Sequence, residues 1–551
     1  SCDTCVSSTI ACRGVLDMSD SETEMTTPHA NVCLLLEGTF PYVRGGVSTW
    51  VKQMIEGMPH LSFSIIYLGA DRETQGEPSY ELPANVVHLE AHFLLDERIE
   101  EEEGSNWMDR MQSSFKSSSN KKVRNQQFVR NSELHSELCD TDKPLNSSVT
   151  HEFTDLMAGS NSITEKDLKQ SRGSWDTIRE KYNDAPEGLD FNHFFWTVRS
   201  MHSPLFTLAD IVKNAPPADL YHSVSTGYAG YLGAMLQGAT GKPFVISEHG
   251  IYTKERELDL AQVDWIPEQL DPFKVGLNDN MNYLRSVWIR FFLSLGRMSY
   301  STANQVFTLY EGNRLRQIKD GCPEEKLRII PNGVNVKRFR PVRRNATAAV
   351  PPVLALIGRV VPIKDIKNFI RAMQIVRTQL PNAQGWLFGP EDEDEDYTRE
   401  CKMLVESLGL SHVVKFKGFG KPEEIFPAVG LSVLTSVSEG QPLVVLEGFA
   451  AGIPAVTTDV GSCRELIEGI HIEDKALGEA GSVVPIADPA AFAHAAVALL
   501  SDRESWQQAS NSAIARVEAY YDEDDMIDRY QRVYERQMAV HSDELLKDEA
   551  A

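Results

Sequence analysis

The sequence predicts an α/β protein built from two Rossmann-like domains that face a central cleft, and three observations carry that reading. Short apolar runs alternate with helix-length amphipathic stretches along most of the chain, as in parallel sheets with helical crossovers. The alternation occurs twice, on either side of PVRRNATAAVPP at 341–352, which reads as a linker. At 551 residues the chain is also too long for one ordinary hydrophobic core.

The elements follow in order. Residues 1–28 form a polar tail. The N-terminal domain, 29–345, opens with NVCLLLEG, an unbroken apolar run that suits a buried strand, and continues into the helix GGVSTWVKQMIEGM. FSIIYLG and VVHL are further strands. Near 96–174 the composition turns polar and charged, through DERIEEEEG and SSFKSSSNKK, and a solvated, partly helical insertion is expected there. DLYHSV, the helix YAGYLGAML, PFVISEHG, a long helix near 280–300, QVFTLY and LRIIPNG complete the domain. The C-terminal domain, 346–515, starts at VLALIGRV and alternates through QGWLFG, VVKFKG, LSVLTS and IPAVTT. A helical segment, 516–551, is expected to cross back onto the first domain.

Composition narrows the function. A formal charge of −25 opposes DNA or RNA as a general partner, because a phosphate backbone needs a positive field. A nucleotide needs only a few local donors and stays admissible. No apolar run reaches membrane-spanning length, and no secretory apolar region precedes the first strand. The eight cysteines are mostly scattered, which fits a reducing compartment, so the cytoplasm is the expected location. Cys2, Cys5 and Cys12 cluster without a nearby fourth ligand, and no HExxH or other compact ligand set occurs, so no metal is expected. The acidic run EDEDED at 391–396 lacks ligand spacing and reads as solvated surface.

Four places could carry chemistry. VSEGQP should follow strand LSVLTS, which is expected to end near Ser436, and should precede the helix LVVLEGFAAG. Free N–H groups at a helix start favour a phosphate. Leu443 sits at that start, with Pro442 expected at the first helical position. Glu439 could reach a sugar hydroxyl, and Glu447 could accept both hydroxyls of a ribose. In GRVVPIK, Arg359 and Lys364 follow a strand end and could neutralise a departing diphosphate. Gly45 and Gly46, after the first strand, permit close backbone approach. His249 follows PFVIS, where a neutral ring could orient a sugar; Glu248 beside it could be a base or only a partner, and His222 is a weaker candidate.

GRVVPIK, SEGQPLVVLE and AAGIPAVTTDVG, in that order, together with IPNGVNVKRF, resemble the retaining glycosyltransferases of family GT4, which have the GT-B fold. The resemblance spans roughly 30–540 apart from the insertion. LLLEGTFPYVRGGVSTWV and ISEHGIYTKERE are similar in particular to the PelF group, cytosolic glycosyltransferases of Pel exopolysaccharide biosynthesis. The resemblance implies that Arg359 and Lys364 bind the diphosphate, Glu439 lies by the donor sugar and Glu447 holds the ribose. It implies that Gly46 approaches the phosphates, His249 contacts the sugar, and the helix after Pro442 supplies amides. Asp365 departs from the family, where many relatives have glycine after the lysine.

The resemblance further implies a retaining, metal-independent transfer from a UDP-sugar, with UDP as product and no permanently bound cofactor. The donor expected first is UDP-glucose, then UDP-GalNAc or UDP-GlcNAc, with a growing exopolysaccharide as acceptor. Membrane-bound Pel synthesis and export components are the implied partners, placing the protein at the inner face of the cytoplasmic membrane. The alternative is a noncatalytic carbohydrate-binding or assembly subunit of an export complex.

Overall fold

The computed structural model describes residues 27–94, 127–128, 130–134, 145–159, 162–256, 277–345 and 348–549. The tail up to residue 26, with its three cysteines, and much of the expected insertion lie outside these residues.

Two all-parallel sheets organise the chain. The first contains β1 (Ala30–Glu37), β2 (Phe63–Gly69), β3 (Val86–Phe93), β4 (Ala218–Ser223), β5 (Phe244–Glu248), β6 (Gln305–Thr308) and β7 (Leu327–Ile329), in the order β3-β2-β1-β4-β5-β6-β7. The second contains β8 (Val353–Ile357), β9 (Gln384–Phe388), β10 (Val414–Phe416), β11 (Leu431–Leu434), β12 (Ala455–Thr458) and β13 (Gly481–Val484), in the order β10-β9-β8-β11-β12-β13. This pair of Rossmann-like domains flanking a cleft is what the alternating pattern predicts, and it is the GT-B arrangement that the resemblance implies. The strands read as continuous apolar runs because helices cover both faces of a parallel sheet. Every residue of β2 is buried, and β1 is nearly so. Helix Gly46–Gly57 turns Trp50, Val51, Met54 and Ile55 inward, the spacing of one helical face.

Each sheet has one place where chain order reverses. In the first sheet β1 is followed outward by β2 and β3, and β4 then returns to its other side; in the second, β8 and β11 do the same. Ligands of open α/β sheets bind outside the strand carboxyl ends at such reversals. The loops after β1, β8 and β11 carry most of the candidate residues.

The described part of the insertion differs from a solvated excursion. Helix Ser147–Ala158 packs Phe153 and Met157 into the first domain's core, and Phe128 and Leu134 are buried there too. The partial helicity is as expected, but the polar flanking composition hid that this helix spends one apolar face on the core.

The last helix, Glu523–Glu549, leaves the second domain and lies on the first. Met526, Ile527, Tyr530 and Tyr534 are buried in one cluster with Leu34 and Trp50. Buried hydroxyls fix its seat: His222 bonds Tyr534 Oη through Nδ1 (2.6 Å) and Ser247 Oγ through Nε2 (2.8 Å), and Ser247 donates to Tyr530 Oη (2.9 Å). His222 therefore has its ring nitrogens engaged as a fastening. Glu248 is equally occupied, accepting from Thr226, Tyr252 N, Tyr300 and Gln317 in the core. With four donors on a buried carboxyl, it acts as a partner and not as a free base.

Candidate active site

The β11 loop and the β8 loop are stitched together at their backbones. Val437 N donates to the Ile363 carbonyl (2.9 Å), and Thr435 Oγ1 donates to that of Lys364 (2.8 Å). Strand β11 ends at Leu434, two residues before the expected Ser436. The stitching brings the two charged candidates into contact. Lys364 Nζ donates to Glu439 Oε1 at 2.6 Å, and Ser436 Oγ donates to the same oxygen at 2.5 Å. Both members of the ion pair are largely covered, with side chains 22% and 12% exposed.

Asp365 follows at φ 43°, ψ 53°, the left-handed region that favours glycine. This conformation suits the glycine that the resemblance implies for many relatives. Aspartate tolerates the position better than most side chains, and its carboxylate caps helix Ile366–Gln379 by accepting from Asn368 N.

Arg359 is not drawn to Glu439. Its guanidinium pairs with Glu393, and both side chains are about half exposed. The acidic run is surface, as expected, and one of its carboxylates also pairs with a candidate site cation. No spacing rule in the sequence links positions 34 residues apart on adjacent strand ends.

Helix Leu443–Ala450 begins one residue later than expected. Pro442 is the N-cap and Leu443 the first helical residue, and no side chain caps this end. The Leu443 side chain reaches the start of helix Gly46–Gly57 across the cleft: a Cβ on Gly46 would stand 3.8 Å from Leu443 Cδ1, and one on Gly45 would meet nothing within 4 Å. Two helix N-termini without side-chain caps thus lie near each other, and unpaired N–H groups at such ends attract anions.

His249 lies under the β11 loop. A Cβ on Gly440 would come within 2.7 Å of the His249 carbonyl oxygen, so this glycine lets the domains touch. The His249 ring packs edge-on against Trp50, with centroids 4.5 Å apart, and Nε2 is buried without a partner. Burial holds the imidazole down at about 3, so the ring is neutral at ordinary pH. Asn332, in the connection between domains, donates its backbone N–H to Gln441 Oε1 at 2.6 Å. Trp50, Ser436 and Gln441 join the site without having stood out in the sequence; each lies within a motif already singled out, and that adjacency was the available signal.

Glu447 stands on the second turn of its helix. No donor among the described residues bonds its carboxylate, and burial pushes it up to about 7, opposed by the charge of Arg338. A desolvated carboxylate without donors is suited to a ligand that brings its own. Among the described residues no group of three or more His, Cys, Asp or Glu side chains could hold a metal ion, and no helix is long and apolar enough to cross a membrane.

Comparison with known proteins matches each half separately. A family described as a domain of unknown function (DUF3492) matches residues 30–325, and one described as glycosyl transferases group 1 matches 351–502. The D-inositol 3-phosphate glycosyltransferase of Nocardia farcinica is 27% identical over 212 residues, covering 36% of this chain and 45% of that protein. The chain thus spans under half the length of the curated relatives it matches. Two solved structures share the fold. Sucrose-phosphate synthase from Thermosynechococcus elongatus has a TM-score of 0.53 at 16% identity, covering 93% of this chain and 100% of that one. A glycosyltransferase from Rickettsia africae has a TM-score of 0.50 at 13% identity, covering 92% and 98%. The chain belongs to the DUF3492 family, whose domain it joins to a group 1 glycosyl transferase domain in one GT-B fold.

Proposed function

We propose that this protein is a retaining glycosyltransferase that moves a hexosyl or N-acetylhexosaminyl unit from a UDP-sugar to a growing exopolysaccharide, with UDP-glucose the first donor to test. The observation that carries the reading is the contact of Lys364 with Glu439 at the second domain's strand-order reversal, near two helix N-termini without side-chain caps. The match of residues 351–502 to group 1 glycosyl transferases supports it.

In this reading the diphosphate lies between Lys364, the amides from Leu443 onward and the Gly45–Gly46 turn, with Arg359 recruited from Glu393. Glu447 accepts the ribose hydroxyls. The sugar extends toward Glu439 and His249. As the bond from the anomeric carbon to the diphosphate oxygen breaks, charge grows on that oxygen, and Lys364, Arg359 and the amides stabilise it. The acceptor oxygen bonds the anomeric carbon from the same face and passes its proton to the departing oxygen. Glu439 stabilises the sugar and does not attack it, since its carboxylate is held by Lys364 and Ser436. The similarity to the PelF group points to Pel polysaccharide as the product and to membrane-bound export components as partners of an enzyme on the cytoplasmic face.

Turnover with UDP-glucose, UDP-GlcNAc and UDP-GalNAc, each with candidate oligosaccharide acceptors and with or without EDTA, tests the reading by mass spectrometry. UDP release matched by one sugar mass increment on an acceptor is the expected result. Binding of oligosaccharide with no turnover of any donor, alone or with membranes of the producing cell, would instead establish a noncatalytic subunit.

Two smaller predictions arise here. Glu393→Gln frees Arg359, so UDP affinity should rise about 2- to 5-fold, the scale of one exposed ion pair, with kcat unchanged. Titration calorimetry checks it, and unchanged affinity would detach Arg359 from the phosphates. The second concerns pH. Glu447 is raised to about 7 from an unfolded value near 4.5, so its favourable contribution to stability is present in full below 4.5 and is lost as pH rises through about 7. Ribose hydroxyls bond best to the ionised form, so UDP affinity should strengthen as pH rises from 6 to 8. Glu447→Gln should weaken binding and flatten that profile.

A further inference from the structure

Away from the cleft, helices Ser147–Ala158, Glu165–Gln170, Arg172–Tyr182, Phe191–Asn214 and Leu277–Thr302 surround a cavity of about 390 Å³, partly open to solvent. Its deep wall is apolar: Phe153, Leu205, Leu295 and Met298 line it and are buried. Waters, at about 30 Å³ and two to four polar partners each, find little to bond against such a wall. An apolar occupant suits it.

The lining changes character toward solvent. Half-buried Lys181 and exposed Arg290 reach the cavity, and among the described residues neither is paired with a carboxylate. Arg290 instead lies over the Tyr283 ring at 5.9 Å. Asp184, also exposed, lines the same rim and leaves it with one net positive charge. A chain of net charge −25 has abundant carboxylates, yet the rim of this apolar chamber keeps a net positive charge and neither cation is in an ion pair among the described residues. Asn131 Oδ1 is buried at the cavity without a partner and could accept from a hydroxyl on the ligand.

We infer that this cavity binds a single-chain amphiphile, its hydrocarbon tail on the Phe153–Leu205–Met298 wall and its anionic head between Lys181 and Arg290. A second site of this class stands independently of the donor site and of the transferase reading. It would give a protein without an apolar spanning helix among its described residues a means of sensing or holding lipid.

Titration calorimetry of the full chain with dodecyl phosphate, dodecanoate and dodecanol, each below its aggregation concentration, tests this. Saturable one-to-one binding of an anionic probe is expected, at least tenfold tighter than dodecanol, and the preference between phosphate and carboxylate identifies the head. Lys181→Glu with Arg290→Glu should weaken the anionic probes at least tenfold and leave dodecanol unchanged. Thr177→Trp, on the cavity wall, should remove all three. Unaltered thermal unfolding and UDP affinity would show that the donor domain is intact in both variants. Absence of saturable binding to the unsubstituted chain overturns the inference, as does anion binding indifferent to both variants. Should the double variant fail to fold, retention of binding by Thr177→Trp overturns it alone.

Discussion

Lys364→Ala should lower kcat/KM for sugar transfer by about 10²- to 10³-fold, the scale of losing one donor aimed at developing negative charge. Lys364 is the only candidate cation that directly bonds a candidate carboxylate, at 2.6 Å from Glu439. In the proposed mechanism, removing it takes away the charge that meets the leaving diphosphate and also frees Glu439 to shift. Folding should survive: Ser436 still bonds Glu439, and the Lys364 carbonyl still accepts from Thr435. The midpoint of thermal unfolding should therefore move far less than turnover, because the carboxylate left behind keeps its Ser436 partner. Turnover and unfolding measured on the same preparation separate the two effects. Transfer that persisted within a few-fold of the unsubstituted enzyme would remove Lys364 from the mechanism. Glu439→Ala should resemble it in turnover.

Gly440→Ala should be nearly as damaging, for a steric reason. The added Cβ would lie 2.7 Å from the backbone oxygen of His249 on the other domain, and backbone cannot rotate away as a side chain tip can. The domains must part at this contact. Displacement of about 1 Å between reacting groups can cost on the order of 10²-fold in rate. UDP affinity should change far less, because Lys364, Leu443 and Glu447 all sit on the second domain and keep their mutual geometry. A loss of kcat with UDP binding retained would identify domain apposition as the feature removed. Equal loss of both would mean that the β11 loop itself had been distorted.

These two residues show how unevenly the site was legible. Lys364, Glu439 and Glu447 stand out as charged groups around strand ends and a helix start. Gly440 carries no such mark, since its importance lies in what approaches it from residue 249. Glu393 is the opposite case: within an acidic run it looked like solvated surface, and only the neighbouring strand end brings Arg359 to it. His249 and His222 were similar loop or strand-end histidines in sequence. The fold leaves one with an unpartnered Nε2 near the cleft and fastens the other to Tyr534 and Ser247. Buried helices of the described insertion were hidden because their apolar faces are narrow and their surroundings polar.

The sequence by itself determined the two parallel α/β domains, because continuous apolar strands alternating with amphipathic helices have few other ways to bury their surfaces. It also determined which loops carry charge and glycine. Only the tertiary structure decided which of those groups meet. Strand order brings the loops after β8 and β11 side by side, and the returning C-terminal helix seats itself on the first domain. Gly440, Gly46 and Leu443 then mark where the two domains approach. Contacts of this kind depend on the relative position of residues tens to hundreds of places apart, and local pattern carries no measure of that distance.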